Sequence, residues 1–208
     1  MHTVKAEAPS SSSAKPAAPA RDGRHLRSER TRAAIVAALL TLADQGELAP
    51  TAQQIADAAG VALRSIRQHF ATRDELFVAA AAEHARRTKD LRVDVEPTAP
   101  LATRIAAFAK VRAKELENTA PLRHAAELAE DGSPIVARAM SAARTQRRKD
   151  VARVFAKELA ASADPEVLLD QLDLVTSGRG YDMLRRDRGH SEATARSRME
   201  RFLLAALG

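Results

Sequence analysis

The sequence predicts an all-α protein, on three observations. Apolar residues recur at intervals of three and four, glycines and prolines fall between those runs, and helix-starting signatures precede several of them. No segment alternates apolar and polar residues as a half-buried strand does. Nine helices account for the pattern.

The first twenty residues, rich in Ser, Ala and Pro, have no apolar segment and are expected to form a disordered tail with no signal peptide. Arg21, Arg24 and Arg27 follow just ahead of the first helix and make the tail, 1–27, basic at its end. They read as a flexible leader or as an extended arm able to enter a minor groove. Arg30 to Gly46 is the first helix. Thr51 followed by Gln54 is a capping box, in which hydroxyl and amide satisfy backbone N–H groups left open at a helix start. Ile55, Ala56 and Ala59 then form a narrow face of small residues, and Gly60 ends the helix because it accepts positive φ. In the next helix Val61, Ser65, Ile66 and Phe70 point one way, while Leu63, Arg64, Arg67 and Gln68 point outward. Thr72 with Glu75 caps a fourth helix running through Leu76, Phe77, Ala80 and His84 to about Leu91. Two short helices about a tight turn make a helix-turn-helix. Between Val61 and Arg73 there are three arginines and no acid, a local charge more telling than the net +6 of the chain.

Further along, Thr98 and Pro100 open a helix carrying Leu101, Ile105, Phe108 and Leu116, and Pro121 is expected to begin a short one. Ser133-Pro134 starts a long helix through Phe155 to Leu159, and Asp164-Pro165 starts another through Leu172, Val175 and Leu184 to about Gly189. Ser191 caps the last, which ends in Phe202, Leu203, Ala206 and Leu207.

The ordered set Ile55-Ala56, Ala59-Gly60-Val61-Ala62-Leu63-Arg64-Ser65-Ile66-Arg67-Gln68-His69-Phe70 and Thr72-Arg73-Asp74-Glu75-Leu76 resembles the DNA-binding motif of the TetR family of bacterial transcriptional regulators. Ala62 stands where that motif has Ser, Arg67 where it has Tyr and Arg73 where it has Lys. Glu47 occupies the place of an aromatic residue that often follows the first helix. The resemblance covers Arg30–Leu91, and extends to Leu101–Leu207 through helix number, helix length and the closing helix pair. It implies a basic tail at 1–27, a DNA-binding domain at 28–73, and a ligand-binding and dimerisation domain at 74–208 whose helix 74–91 connects the two.

Carried onto this sequence, the resemblance places Leu63, Arg64 and Arg67 at base edges, and Thr51, Ser65, Gln68, His69 and Arg73 at phosphates. The expected partners are a double-stranded DNA operator, a second copy of the chain and an unidentified small-molecule effector. Leu172, Val175, Phe202 and Leu203 are the expected dimer contacts. Leu101, Phe108, His124, Met140 and Phe155 are the expected pocket lining, with Tyr181 another aromatic that reads as pocket or core. The implied role is a repressor released from a near-palindromic operator when the effector binds.

The chain has no cysteine, which excludes disulfides and thiolate chemistry and fits a cytoplasmic protein. Its six histidines form no metal-ligand spacing, and neither Gly178-x-Gly180 nor Gly132 has the context of a phosphate loop, so no metal and no cofactor is expected. His84 with Glu83, or His124 with Glu127, would be the acid–base groups of an all-helical enzyme; hydrogen-bonded surface histidines are the plainer reading. Arg144, Arg147, Arg148, Lys149, Arg153 and Lys157 read as a solvated helix face because Asp150 and Glu158 intervene. No apolar run approaches the roughly 20 residues a bilayer requires. The alternatives to a regulator are a helical interaction protein, a constitutive DNA binder and, behind these, an enzyme.

Overall fold

The computed structural model describes residues 20–87, 95–96 and 98–208. Among them there are ten α-helices: α1 (Ala20–Asp44), α2 (Ala52–Ala59), α3 (Leu63–His69), α4 (Arg73–Arg87), α5 (Leu101–Glu130), α6 (Pro134–Val154), α7 (Ala156–Ala161), α8 (Pro165–Thr176), α9 (Gly178–Asp182) and α10 (Glu192–Leu207). A π-helical turn at Met183–Asp187 follows α9. The all-α class is as the periodicity predicts. The boundaries differ: α1 opens at Ala20, so residues 20–27 are helical where a tail was expected. The expected run of α4 to Leu91 lies outside the described residues, as do residues 1–19.

The helices enclose two apolar cores. Ile35 and Leu39 of α1, Ile55 and Ala56 of α2, Ile66 and Phe70 around α3, and Leu76, Phe77 and Ala80 of α4 form the first. Phe108, Ala113 and Leu116 of α5 meet Val151, Phe155, Leu172, Tyr181, Met199 and Leu203 in the second. Helix α5 belongs to both, since its far end carries Leu122 and Ala125 into the first core. That continuity corrects the helix expected to begin at Pro121: the proline sits inside α5. Its ring lacks the N–H that would bond the Glu117 carbonyl, a local cost, but a break there would part Leu116 from Leu122 and with them the two cores.

Two other long helices expected from the sequence are broken. Helix α6 ends at Phe155, whose φ of −110° and ψ of 24° turn the chain into α7. The Val154 carbonyl that the break leaves open accepts from Arg104 Nη1 at 2.9 Å, so a buried arginine from another helix does what a continued helix would have done. The segment from Pro165 stops at Ser177, whose backbone is extended and whose hydroxyl caps α9 by accepting from Gly180 N at 2.9 Å. Only glycine fits at 180, because a Cβ there would stand 2.5 Å from the Leu174 carbonyl.

Arginines brace the C-terminal helices. Arg144 donates to Glu130 at 2.8 Å, Arg147 to Glu115 at 2.9 Å, and Arg148 lies 2.6 Å from Asp170, joining α6 to α5 and α8. The basic cluster of α6 is therefore charge-paired on its inner side. The Arg104 guanidinium also grips Glu158 of α7 and holds its carboxyl below the usual carboxylate range. For Asp182 burial pushes upward, but hydrogen bonds from Arg123 and His124 prevail and hold it low.

Both carboxyls are lower in the folded chain than in the unfolded one. Each thus contributes stability fully present above the unfolded range near pH 4 and lost as pH falls through the lower folded value. Circular dichroism melts between pH 7 and pH 3 should show Tm falling steeply below about pH 4. Glu158→Gln should lower Tm at neutral pH yet flatten the acid limb. An acid limb as steep as that of the wild type would show that this pair does not set the response.

Candidate nucleic-acid interface

Helix α2 begins where a capping box begins it. Thr51 Oγ1 accepts from Gln54 N at 3.2 Å, and Gln54 Oε1 accepts from Thr51 N at 2.8 Å. Gly60 ends it in the left-handed region with φ of 65°, and Val61 N returns to the Ala56 carbonyl at 3.0 Å. Ala62 then opens α3 without a side-chain cap, since it lacks the hydroxyl that a serine would offer. Ile66 and Phe70 are buried and anchor α3 to the first core, which turns Arg64, Arg67 and Gln68 into solvent on one face.

The far end of α3 is clamped. Arg32 of α1 donates from Nη1 to the His69 carbonyl at 2.8 Å and lays its guanidinium 4.1 Å from the centre of the Phe70 ring. At the start of α4, Glu75 N donates to Thr72 Oγ1 at 3.1 Å and Glu75 Oε2 accepts from Ala71 N at 2.9 Å. Arg73, the first residue of α4, is exposed with its guanidinium 5.2 Å from the Phe77 ring centre. Helix α3 thus presents arginine side chains from a backbone anchored by Ile66 and Phe70 and clamped at its far end, a firm base for a contact surface.

The sequence-derived contact residues fall in two groups. Arg64, Arg67, Thr51, Gln68 and Arg73 are exposed, whereas Ser65 and His69 are half-buried. Leu63 departs from its expected outward orientation: it is half-buried against the first core, because the first turn of α3 must cover apolar surface that the small residues of α2 leave open.

The expected pocket lining is mostly elsewhere. Phe108 and Phe155 are fully buried in the second core, with ring centroids 5.3 Å apart at 65°, and Leu101 packs on the same core. His124 sits in a charged knot: its Nε2 lies 3.0 Å from Asp182 Oδ2, Arg123 clamps Asp182 from the side, and Glu127 Oε1 is 3.6 Å from Arg123. His124, Glu127 and Asp182 form a group able to hold a metal ion, but guanidinium groups already meet them, including Arg186 Nη1 at 3.5 Å from His124.

Met140 alone of the five lines the large cleft, a cavity of about 360 Å³ between α4, α5 and α6. Phe77, Val78 and Ala81 of α4 face Val136, Ala139 and Ala143 of α6 across it, and Thr119, Arg123 and Arg147 supply polar edges. His84 of α4 lines it too, and burial pushes its imidazole below the ordinary value toward the neutral form. Sequence periodicity missed this site, although alanine runs on two helices were a signal: small side chains on facing helices leave space between them.

The expected dimer contacts also divide. Leu172 and Leu203 are fully buried within the chain, so neither is free to meet a partner. Val175 is half-buried. Phe202 is exposed at 41%, and so are Leu174, Leu204, Val167 and Met183. That makes an apolar surface on α8, the π turn and α10. Among the described residues, no helix is long and apolar enough to cross a membrane.

No family model matches the sequence, and no curated protein does. Solved structures do resemble the chain. A transcriptional regulator from Rhodococcus sp. Rha1 superposes with a TM-score of 0.66 at 18% identity, covering 86% of this chain and 95% of that one. A putative TetR-family transcriptional regulator from Mesorhizobium loti MAFF303099 gives 0.61 at 17% identity, over 87% and 96%. The multidrug binding protein EbrR, complexed with imidazole, gives 0.57 at 25% identity, over 82% and 93%. Motif, helix order and superposition agree: the chain has the fold of the TetR family of transcriptional regulators.

Proposed function

We propose that this protein is a DNA-binding transcriptional repressor that holds a near-palindromic operator as a homodimer and releases it when a small molecule occupies the cleft between α4, α5 and α6. The observation that carries the reading is the acid-free face of α3, with Arg64, Arg67 and Gln68 exposed on a helix whose far end is clamped by Arg32. A dimer sets two such helices in major grooves about 34–36 Å apart, or a multiple of that, which asks for two-fold symmetry in the DNA. Such a protein works in the cytoplasm, needs no cofactor and is not an enzyme. Selecting bound fragments from a random-sequence pool tests the proposal, with an enriched palindrome as the expected result; a pool that stays random would favour a helical interaction protein.

The cleft supports effector control because one of its walls is α4, the helix that begins directly after the α3 clamp. A ligand wedged against Phe77, Val78 and Ala81 acts on the element that sets the position of α3. The mainly apolar lining suits a hydrophobic or weakly polar ligand, in keeping with the multidrug binding named for EbrR. A ligand that prefers the non-binding arrangement with a typical coupling of about 1–3 kcal/mol lowers operator affinity roughly 5- to 150-fold, and DNA must weaken ligand binding equally. Compounds found by thermal shift should therefore compete with operator in fluorescence anisotropy. Ala81→Trp and Ala143→Trp, which fill the cleft, should abolish that competition while operator binding persists. Undiminished competition in both variants would move the effector site elsewhere.

A further inference from the structure

We infer that the opening turns of α1, residues 20–31, are a second DNA-contact surface, a basic helix that lies along the phosphate backbone beside the groove entered by α3. The inference rests on the proposed DNA binding by α3 and goes beyond it. Sequence reasoning offered a flexible leader or an extended minor-groove arm here. The segment is instead helical from Ala20. Every residue from Arg24 to Arg30 is exposed, Leu26 by 52%, and burial against the first core begins only at Ile35. At 1.5 Å per residue the helix from Arg24 to Ile35 projects about 16 Å beyond its last core contact. No apolar packing accounts for that projection.

Charge and place indicate what would cover it. At about 100° per residue, Arg24, Arg27 and Arg30 fall within one arc of about 120°. Between Arg24 and Arg30 the one acid lies on another side, where Glu29 pairs with His25 at 3.6 Å. The arginine face is thus free of acid, like the face of α3. Arg27 Nε donates to the Gly23 carbonyl at 3.0 Å and Thr31 Oγ1 to the Arg27 carbonyl at 3.0 Å, bonds that stay within the helix. One residue past the segment, Arg32 is bonded to the His69 carbonyl at the end of α3. The projecting turns therefore begin one residue beyond a bond to the end of α3, the helix that carries exposed Arg67 and Gln68. A helix about 10–12 Å across cannot enter a minor groove about 6 Å wide, so its arginines meet phosphates at the groove edge rather than bases within it.

The test uses the full chain and a duplex recovered from the random-sequence pool, prepared with and without base pairs flanking the palindrome. Each phosphate contact contributes about 0.9 to the slope of log affinity against log salt. R24A/R27A/R30A should flatten that slope by about 2–3 units on the flanked duplex, leave the ranking of base-pair variants unchanged, and resemble wild type on the trimmed duplex. The triple lysine variant, which keeps the point charges, should restore the slope. Circular dichroism of each variant separates loss of folding from loss of contact. If Arg67→Ala abolishes operator choice while the triple alanine variant keeps the wild-type slope and affinity, α3 binds DNA and α1 does not, and this inference falls alone. If the wild-type protein enriches no sequence and binds no duplex, the proposed function falls first. A triple variant that changes oligomeric state but not the salt slope would assign the surface to a second copy of the chain and overturn the DNA contact.

Discussion

Arg67→Ala should leave a protein that still binds DNA but has lost its choice among sequences at the base pair Arg67 reads. Arg67 is exposed on α3, one turn from Arg64, while Ile66 and Phe70 are buried, so the solvent-facing side of the helix is set by its own anchors. An arginine bidentate to guanine O6 and N7 discriminates by about 1–3 kcal/mol, a factor of roughly 5 to 150 for one base pair. Arg64→Ala should do the same at a neighbouring position. Arg73→Ala should act differently, weakening all sequences alike and flattening the salt slope by about one unit, because a guanidinium at the start of α4 meets backbone rather than bases. Competition binding with a set of single-base-pair operator variants reads both effects. An unchanged ranking in Arg67→Ala would remove Arg67 from base readout. Leu63→Ala is a poorer probe, since Leu63 is half-buried and its loss mixes recognition with stability.

Placing carboxylates on the exposed apolar surface of the closing helices should produce a folded monomer. Leu174 is 67% exposed and Phe202 41% exposed, on helices α8 and α10 that pack against each other. In a lone subunit, Leu174→Asp with Phe202→Asp costs little because water still reaches both sites. In a dimer seam each unpaired carboxylate costs several kcal/mol. Leu172→Asp and Leu203→Asp make the contrast, for both residues are fully buried in the subunit's own core. The same several kcal/mol then count against a total folding stability of about 5–15 kcal/mol, and unfolding or aggregation is expected. Light scattering with circular dichroism distinguishes the outcomes. A folded dimer after the double exposed-site change would remove this surface from the proposed interface; a folded monomer should hold a half-site weakly and lose its preference for the palindrome.

Legibility in the sequence followed the range of the forces involved. Thr51 with Gln54, Gly60 after Ala59, Ser133 before Pro134 and Ser191 before the last helix all act through hydrogen bonds and dihedral preferences within four residues, so the sequence alone determined the helix-turn-helix, its exposed arginines and most helix starts. The helix breaks and faces needed the tertiary structure. Pro121 stays inside α5 because two cores pull on the same helix, and α6 can end at Phe155 because Arg104, 50 residues away, accepts the role of donor to the Val154 carbonyl. Periodicity marks Leu172, Leu203 and Phe108 as apolar-face residues but cannot say whether that face meets its own subunit, a partner or a ligand. Burial is a property of what stands opposite. Only packing made Leu172 and Leu203 core, left Leu174 and Phe202 exposed, and opened a cleft where the alanines of α4 and α6 face each other, because a cavity is set by the distance between helices that the chain brings together from far apart.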